Sequence, residues 1–133
     1  QKHAEQALLS SEERFAKAFE ASPDALIISR IADGVILEVN DSFVVLSGYE
    51  RDQMIGKSTI LLGLYADPAV RGHMVKILEK EGRVRDVKFE MQRRSGEVRL
   101  IQFSAEPLDL HGEHCWLTIV RDIVWLIESF VSW

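Results

Sequence analysis

The sequence contains one cysteine, Cys115. A single thiol cannot form an internal disulfide, and it removes every zinc site built on two or more cysteines. It fits a reducing compartment. Basic clusters are also scarce: the formal charge is −5, and Arg93-Arg94 is only a pair. That balance argues against a nucleic-acid partner. No apolar run reaches the roughly 18 residues that a membrane span requires. The opening QKHAEQALLSSEER is too polar for a signal peptide. These absences predict a cytoplasmic segment that makes no membrane contact. The chain begins at Gln, which fits an excised piece of a longer protein and lowers the weight of missing targeting signals. Catalytic signatures are missing too: there is no HExxH, no phosphate-cradling glycine loop, and no histidine beside a Ser or Cys nucleophile in a recognisable motif. Asp24 and Glu38 are the nearest approach to a buried catalytic acid. No catalytic residue and no metal ligand is assigned.

What remains is the composition of one soluble domain: 133 residues, 47% hydrophobic and 28% charged. Residues 1–21 read as an amphipathic helix, with Ala4, Leu8, Ser11, Phe15 and Phe19 along one stripe. Ser10 with Glu13 forms a capping-box pattern at which the helix restarts. Ser22-Pro23 ends it. Two β-rich apolar runs in ALIISRIADGVILEVN flank Ala32-Asp33-Gly34 and predict a hairpin.

Two short helical fragments follow, ending at Gly48 and Gly56. Asn40 stops the second strand because its side chain suits the N-cap of the first fragment; capping alone predicts a loss of about 1 kcal/mol for Asn40→Ala. Phe43, Val44 and Leu46 turn inward from the first fragment, Met54 and Ile55 from the second. Helices this short gain little from their own hydrogen bonds, so packing on the sheet must hold them. They serve as walls over one side of a small cavity.

In ADPAVRGHMVKILEKEG, Asp67 suits the N-cap, Pro68 the first turn and Gly82 the C-terminal cap. The apolar stripe is Val70, Met74, Ile77 and Leu78. Three strand-like segments complete the chain: DVKFEMQ, VRLIQFSAEPLDL (broken at Pro107) and CWLTIVRD. In the first, Val87, Phe89 and Met91 alternate with polar residues. The pattern predicts an α+β domain with a five-stranded antiparallel sheet, short helices and one longer helix on one face, and an amphipathic helix in front.

VILEVNDSFVVLSGYERDQMIGK resembles the first half of a PAS domain, on the strand-ending Asn40, the Gly48-Tyr49 pair and the Gly56-Lys57 pair. RRSGEVRLIQFSAEPL is similar to that family's second hairpin, TIVRDI to its closing strand, and SSEERFAKAFEASPDAL to the helix that precedes such domains. The resemblance implies a sensory or dimerisation module spanning 22–123, within a larger bacterial signalling protein whose output is a histidine kinase, a cyclic-di-GMP enzyme or a regulator. It also implies that Asp122 sits where the domain hands over to its output segment. Its rivals are a ligandless dimerisation spacer and, more distantly, a small α+β enzyme.

Some members of the family hold haem, flavin or a metabolite, others nothing, and fold does not choose among them. His73 falls where haem-binding members carry the iron ligand, but the Tyr and Arg that accompany it in that subgroup are missing. The protein is therefore expected to be colourless. GKSTILLGL has no cysteine, which excludes flavin–cysteinyl photochemistry. No cofactor is assigned. Ile28, Met74, Ile77, Phe89, Met91 and Phe103, with His73 on the flank, are the candidate pocket lining. Leu8, Phe15 and Phe19 are the candidate homodimer interface. The apolar tail 124–133 departs from the family's charged exit helix and predicts association.

Overall fold

The computed structural model describes residues 2–123, with side chains from residue 10 onward. The elements are α1 (Lys2–Ala21), β1 (Ala25–Arg30), β2 (Ile36–Val39), α2 (Asp41–Ser47), α3 (Arg51–Met54), α4 (Ala69–Glu81), β3 (Val84–Gln92), β4 (Val98–Leu110) and β5 (Glu113–Asp122). The sheet has five strands in the order β2-β1-β5-β4-β3, antiparallel throughout. The first and last strands thus pair at its centre, with Ala25 opposite Val120. Chain entry and chain exit lie side by side as a result.

The two faces of the sheet carry separate clusters. Ala25, Ile27, Ile36, Val39, Ile101, Phe103, Trp116 and Val120 pack with Phe43, Met54, Met74 and Leu78 from the helices. Phe19 of α1 packs with Ile28 and Cys115 on the other side. Neighbours in a strand point to opposite faces, so Ile27 and Ile28 separate, as do Trp116 and Cys115. This corrects one expectation: Ile28 belongs with α1 behind the sheet, and Ile27 takes the place assigned to it.

Several boundaries also move. α1 runs without interruption from Lys2, and the Ser10 hydroxyl accepts from Arg14 at 3.4 Å instead of restarting the helix. β4 is continuous through Pro107, because beyond Ala105 it has β5 on one side and no β3 partner on the other. A proline is tolerated on such an edge. β3 begins at Val84, two residues before the expected start, and kinks at a bulge where Asp86 adopts a positive φ of 52°. The N-cap of α4 falls on Pro68, one residue later than expected, and Asp67 precedes it, its Oδ1 accepting from the Ala69 amide at 3.0 Å. Gly48 closes α2 at φ 79°, a left-handed conformation that favours glycine.

Leu8 and the tail 124–133 lie outside the residues whose side chains are described. Among the described residues no helix is long and apolar enough to cross a membrane.

Candidate functional site

A cavity of about 30 Å³ lies between the sheet and the helical layer. Its floor is Ile27, Phe89, Met91, Ile101, Phe103 and Val120; Phe43 of α2 forms a wall. Thr59, Leu64 and Tyr65 cover it from the connection between α3 and α4. That cover is tied down on two sides. Gln92 donates to the Leu64 carbonyl at 2.8 Å and Ala66 to that of Glu90 at 3.2 Å, while Thr59 donates to the Gly34 carbonyl at 2.9 Å. Tyr49 adds a hydroxyl bond to the Leu62 carbonyl at 3.1 Å. Its tip is wet, with Leu61 88% exposed.

Aromatic rings run along one side. Tyr65 stacks on Phe89 at 5.5 Å, Phe89 tilts against Phe103 at 5.4 Å, and Phe103 meets the edge of Trp116 at 5.7 Å. The Trp116 indole N–H donates to the Ser29 hydroxyl at 2.8 Å. Over the Trp116 ring, 5.6 Å from its centre, sits the guanidinium of Arg71.

Arg71 is 8% exposed and donates through Nη2 to the carbonyls of Ile31 at 2.6 Å and Arg30 at 3.2 Å. No ion pair links it to an acidic residue among those described. Its Nε and the Thr59 Oγ1 are both buried without a hydrogen-bond partner. The two atoms flank Gly34: a Cβ there would stand 2.9 Å from Thr59 Oγ1 and 3.1 Å from Arg71 Nε. Tyr65 stands close by. Burial pushes its phenol up to about 12, against the opposing pull of Arg71 and Thr59.

Of the pocket residues expected from sequence, Phe89, Met91 and Phe103 line the cavity. Met74 is fully buried in the same core but does not reach the cavity, and Ile77 faces a separate shallow cleft with Arg83 and Val87. His73 is exposed, off the buried Arg71–Met74–Leu78 stripe. Among the described residues no group of three or more His, Cys, Asp or Glu is placed to hold a metal ion. The sequence reading overlooked Arg71, Thr59 and Tyr65. Arg71 left a signal: it stands three residues before Met74 and seven before Leu78, on the stripe that faces the core.

Asn40 does more than cap. It is fully buried, and its Oδ1 accepts from the amides of Phe43 at 3.0 Å and Leu26 at 2.9 Å. Its Nδ2 donates to the carbonyls of Phe19 and Asp24, each at 2.9 Å. One side chain thus joins α1, β1 and α2. Nearby, Arg51 bonds Glu20 at 2.8 Å and Asp41 at 3.1 Å. At the exit, Asp24 holds Arg121 by two 3.2 Å bonds and Arg99 holds Asp122 at 2.7 Å.

The PAS fold family model matches residues 13–123. The chain belongs to the PAS family. The matched segment begins within α1. The PAS domain of an HTR-like protein from Haloarcula marismortui is 27% identical, with a TM-score of 0.72 over 92% of this chain and 99% of that one. A domain of a sensory box sensor histidine kinase/response regulator from Geobacter sulfurreducens is 23% identical, with a TM-score of 0.70 over 86% and 96%. The PAS domain of a LuxR-family transcriptional regulator from Burkholderia thailandensis, solved in complex with ethanol, is 22% identical, with a TM-score of 0.69 over 83% and 97%. Among curated proteins no relative was found by sequence.

Proposed function

We propose that this PAS domain is a sensory relay module of a larger cytoplasmic signalling protein, and that a small molecule in the core cavity is its stimulus. The observation that carries this reading is the cavity itself: an apolar chamber between sheet and helices, closed by the segment carrying Thr59, Leu64 and Tyr65. That segment is bonded to β3 and to the β1–β2 turn. An occupant that displaced it would move both. The β1–β2 movement would reach Asn40 through paired strands, and through Asn40 the end of α1. β5, between β1 and β4, would carry it to Asp122. The output is a kinase, a cyclic-di-GMP enzyme or a regulator, in the same chain or in a partner. Such coupling requires the occupant to bind the two arrangements unequally.

One observation favours the rival reading of a ligandless dimerisation spacer. A chamber of about 30 Å³ holds about two water molecules, far below the usual organic-ligand site. The ethanol-bound Burkholderia domain supports the sensor reading on this point, because a two-carbon occupant needs little more room. Met91 and the cover segment supply adaptable walls. Native mass spectrometry of the purified protein decides between them. A retained small molecule, lost on denaturation, supports the sensor; bare mass alone, with no saturable binding of small organic probes, supports the spacer. In either case we assign a homodimer through the exposed side of α1.

A further inference from the structure

We propose that Arg71 and Thr59 form the polar end of the core site and make it selective for small monocarboxylates; this rests on the sensor reading above. A guanidinium is a permanent cation, and burying one without a counter-ion is costly. Arg71 is nine-tenths buried, yet the groups it meets are two carbonyls and the face of Trp116. These hold the side chain in place and leave its charge unneutralised. Its Nε–H still points at no acceptor, and the Thr59 hydroxyl, which lines the cavity, makes no well-formed hydrogen bond, with only the Tyr65 phenol near it. Buried orphans of this kind carry a free-energy penalty that a ligand can remove.

The two orphans sit on either side of Gly34, so they serve one small volume. Tyr65, held in its neutral form by burial, lies beside them. Thr59 and Tyr65 offer two hydroxyls to the cavity, with the Arg71 cation standing behind them beside Gly34; Ile27, Phe43, Phe89 and Phe103 offer hydrocarbon at the other end. A carboxylate on a short alkyl chain matches both ends. A phosphate has no apolar part for the chamber, and a neutral alcohol or amide leaves the Arg71 charge uncompensated.

The test uses the intact chain and three probes of equal size: propionate, propionamide and 1-propanol, titrated by calorimetry at constant ionic strength. Propionate should bind saturably and at least tenfold more tightly than either neutral probe. Thr59→Val is close in shape and removes a hydroxyl whose one polar neighbour is the Tyr65 phenol, so its thermal midpoint should change little while propionate affinity drops at least tenfold. Arg71→Gln should lose propionate selectivity; if it fails to fold, Thr59→Val decides. Neutral probes binding as tightly as propionate would overturn the carboxylate site and leave the sensor reading standing. Unchanged propionate affinity in Thr59→Val would also overturn it. Saturable binding of none of the three would sink both.

Discussion

The side-chain amide of Asn40 donates to the backbone carbonyl of Phe19, twenty-one residues earlier, at 2.9 Å. The same side chain bonds Asp24, Leu26 and Phe43, so a single substitution removes four hydrogen bonds and leaves three backbone groups without this partner, the Phe43 amide keeping the Asn40 main-chain carbonyl at 3.1 Å. The capping estimate of about 1 kcal/mol is therefore too small. Orphaning buried partners at about 1 kcal/mol or more apiece puts Asn40→Ala near 3 kcal/mol. Asn40→Ser keeps a neutral, shorter oxygen for capping and loses both donors, so it should fall between the wild type and Asn40→Ala. Urea denaturation midpoints at constant m-value check the ranking, and equal losses for the two variants would contradict the four-bond account.

Gly34 and Gly56 both have a positive φ, 74° and 82°, but differ in surroundings. A Cβ at Gly56 meets nothing within 4 Å; at Gly34 it meets Thr59 and Arg71. Both alanine variants incur the left-handed strain of about 1 kcal/mol. Gly34→Ala should lose roughly 1 kcal/mol more by displacing two groups from packed positions. Similar stabilities for the two variants would show that the Gly34 corner is slack.

The raised phenol of Tyr65 makes stability depend on alkaline pH. A folded pKa of about 12 against an ordinary 10 means that the unfolded chain loses its proton first. The stabilisation is fully present below pH 10 and is lost as pH rises toward 12. Tyr65→Phe should flatten that part of the stability curve between pH 10 and 12. A slope unchanged in the variant would place the phenol in water.

The N-terminal helix is the proposed dimer interface. Phe19 is buried against the sheet, while Phe15, stacked on it at 6.0 Å, remains 45% exposed. Leu8 continues the stripe in sequence, and outer turns of an isolated helix are marginal without a partner surface. Replacing Leu8 and Phe15 with Glu should give folded monomers in sedimentation equilibrium where the wild type is dimeric at tens of micromolar. A monomeric wild type, or a dimeric double variant, would move the interface elsewhere.

The legible parts of this fold are those where one face is wet. β3 alternates Val87, Phe89 and Met91 with charge, and its face can be read directly. β1 is apolar on both sides, so nothing in ALIISR distinguishes Ile27, which faces the cavity, from Ile28, which faces α1. Burial on two faces erases the period-two signal. The short helices were readable through Asn40 and Gly48, because caps have local chemistry. The cluster of Gly34, Thr59 and Arg71 was not, since the three come from separate segments. Charge on the α4 stripe was the one local sign of it.

Small molecules are expected to enter the chamber beside Met91. The chain has three methionines, Met54, Met74 and Met91, and of these only Met91 lines the cavity. With methyl-labelled methionine, titration of propionate or 1-propanol followed by NMR reads the three sites separately. The expected result is a saturable shift of the Met91 methyl, with Met54 nearly unmoved. A Met91 resonance that stays in place at saturating concentrations of both probes, or that moves only in step with the other two, would contradict the account.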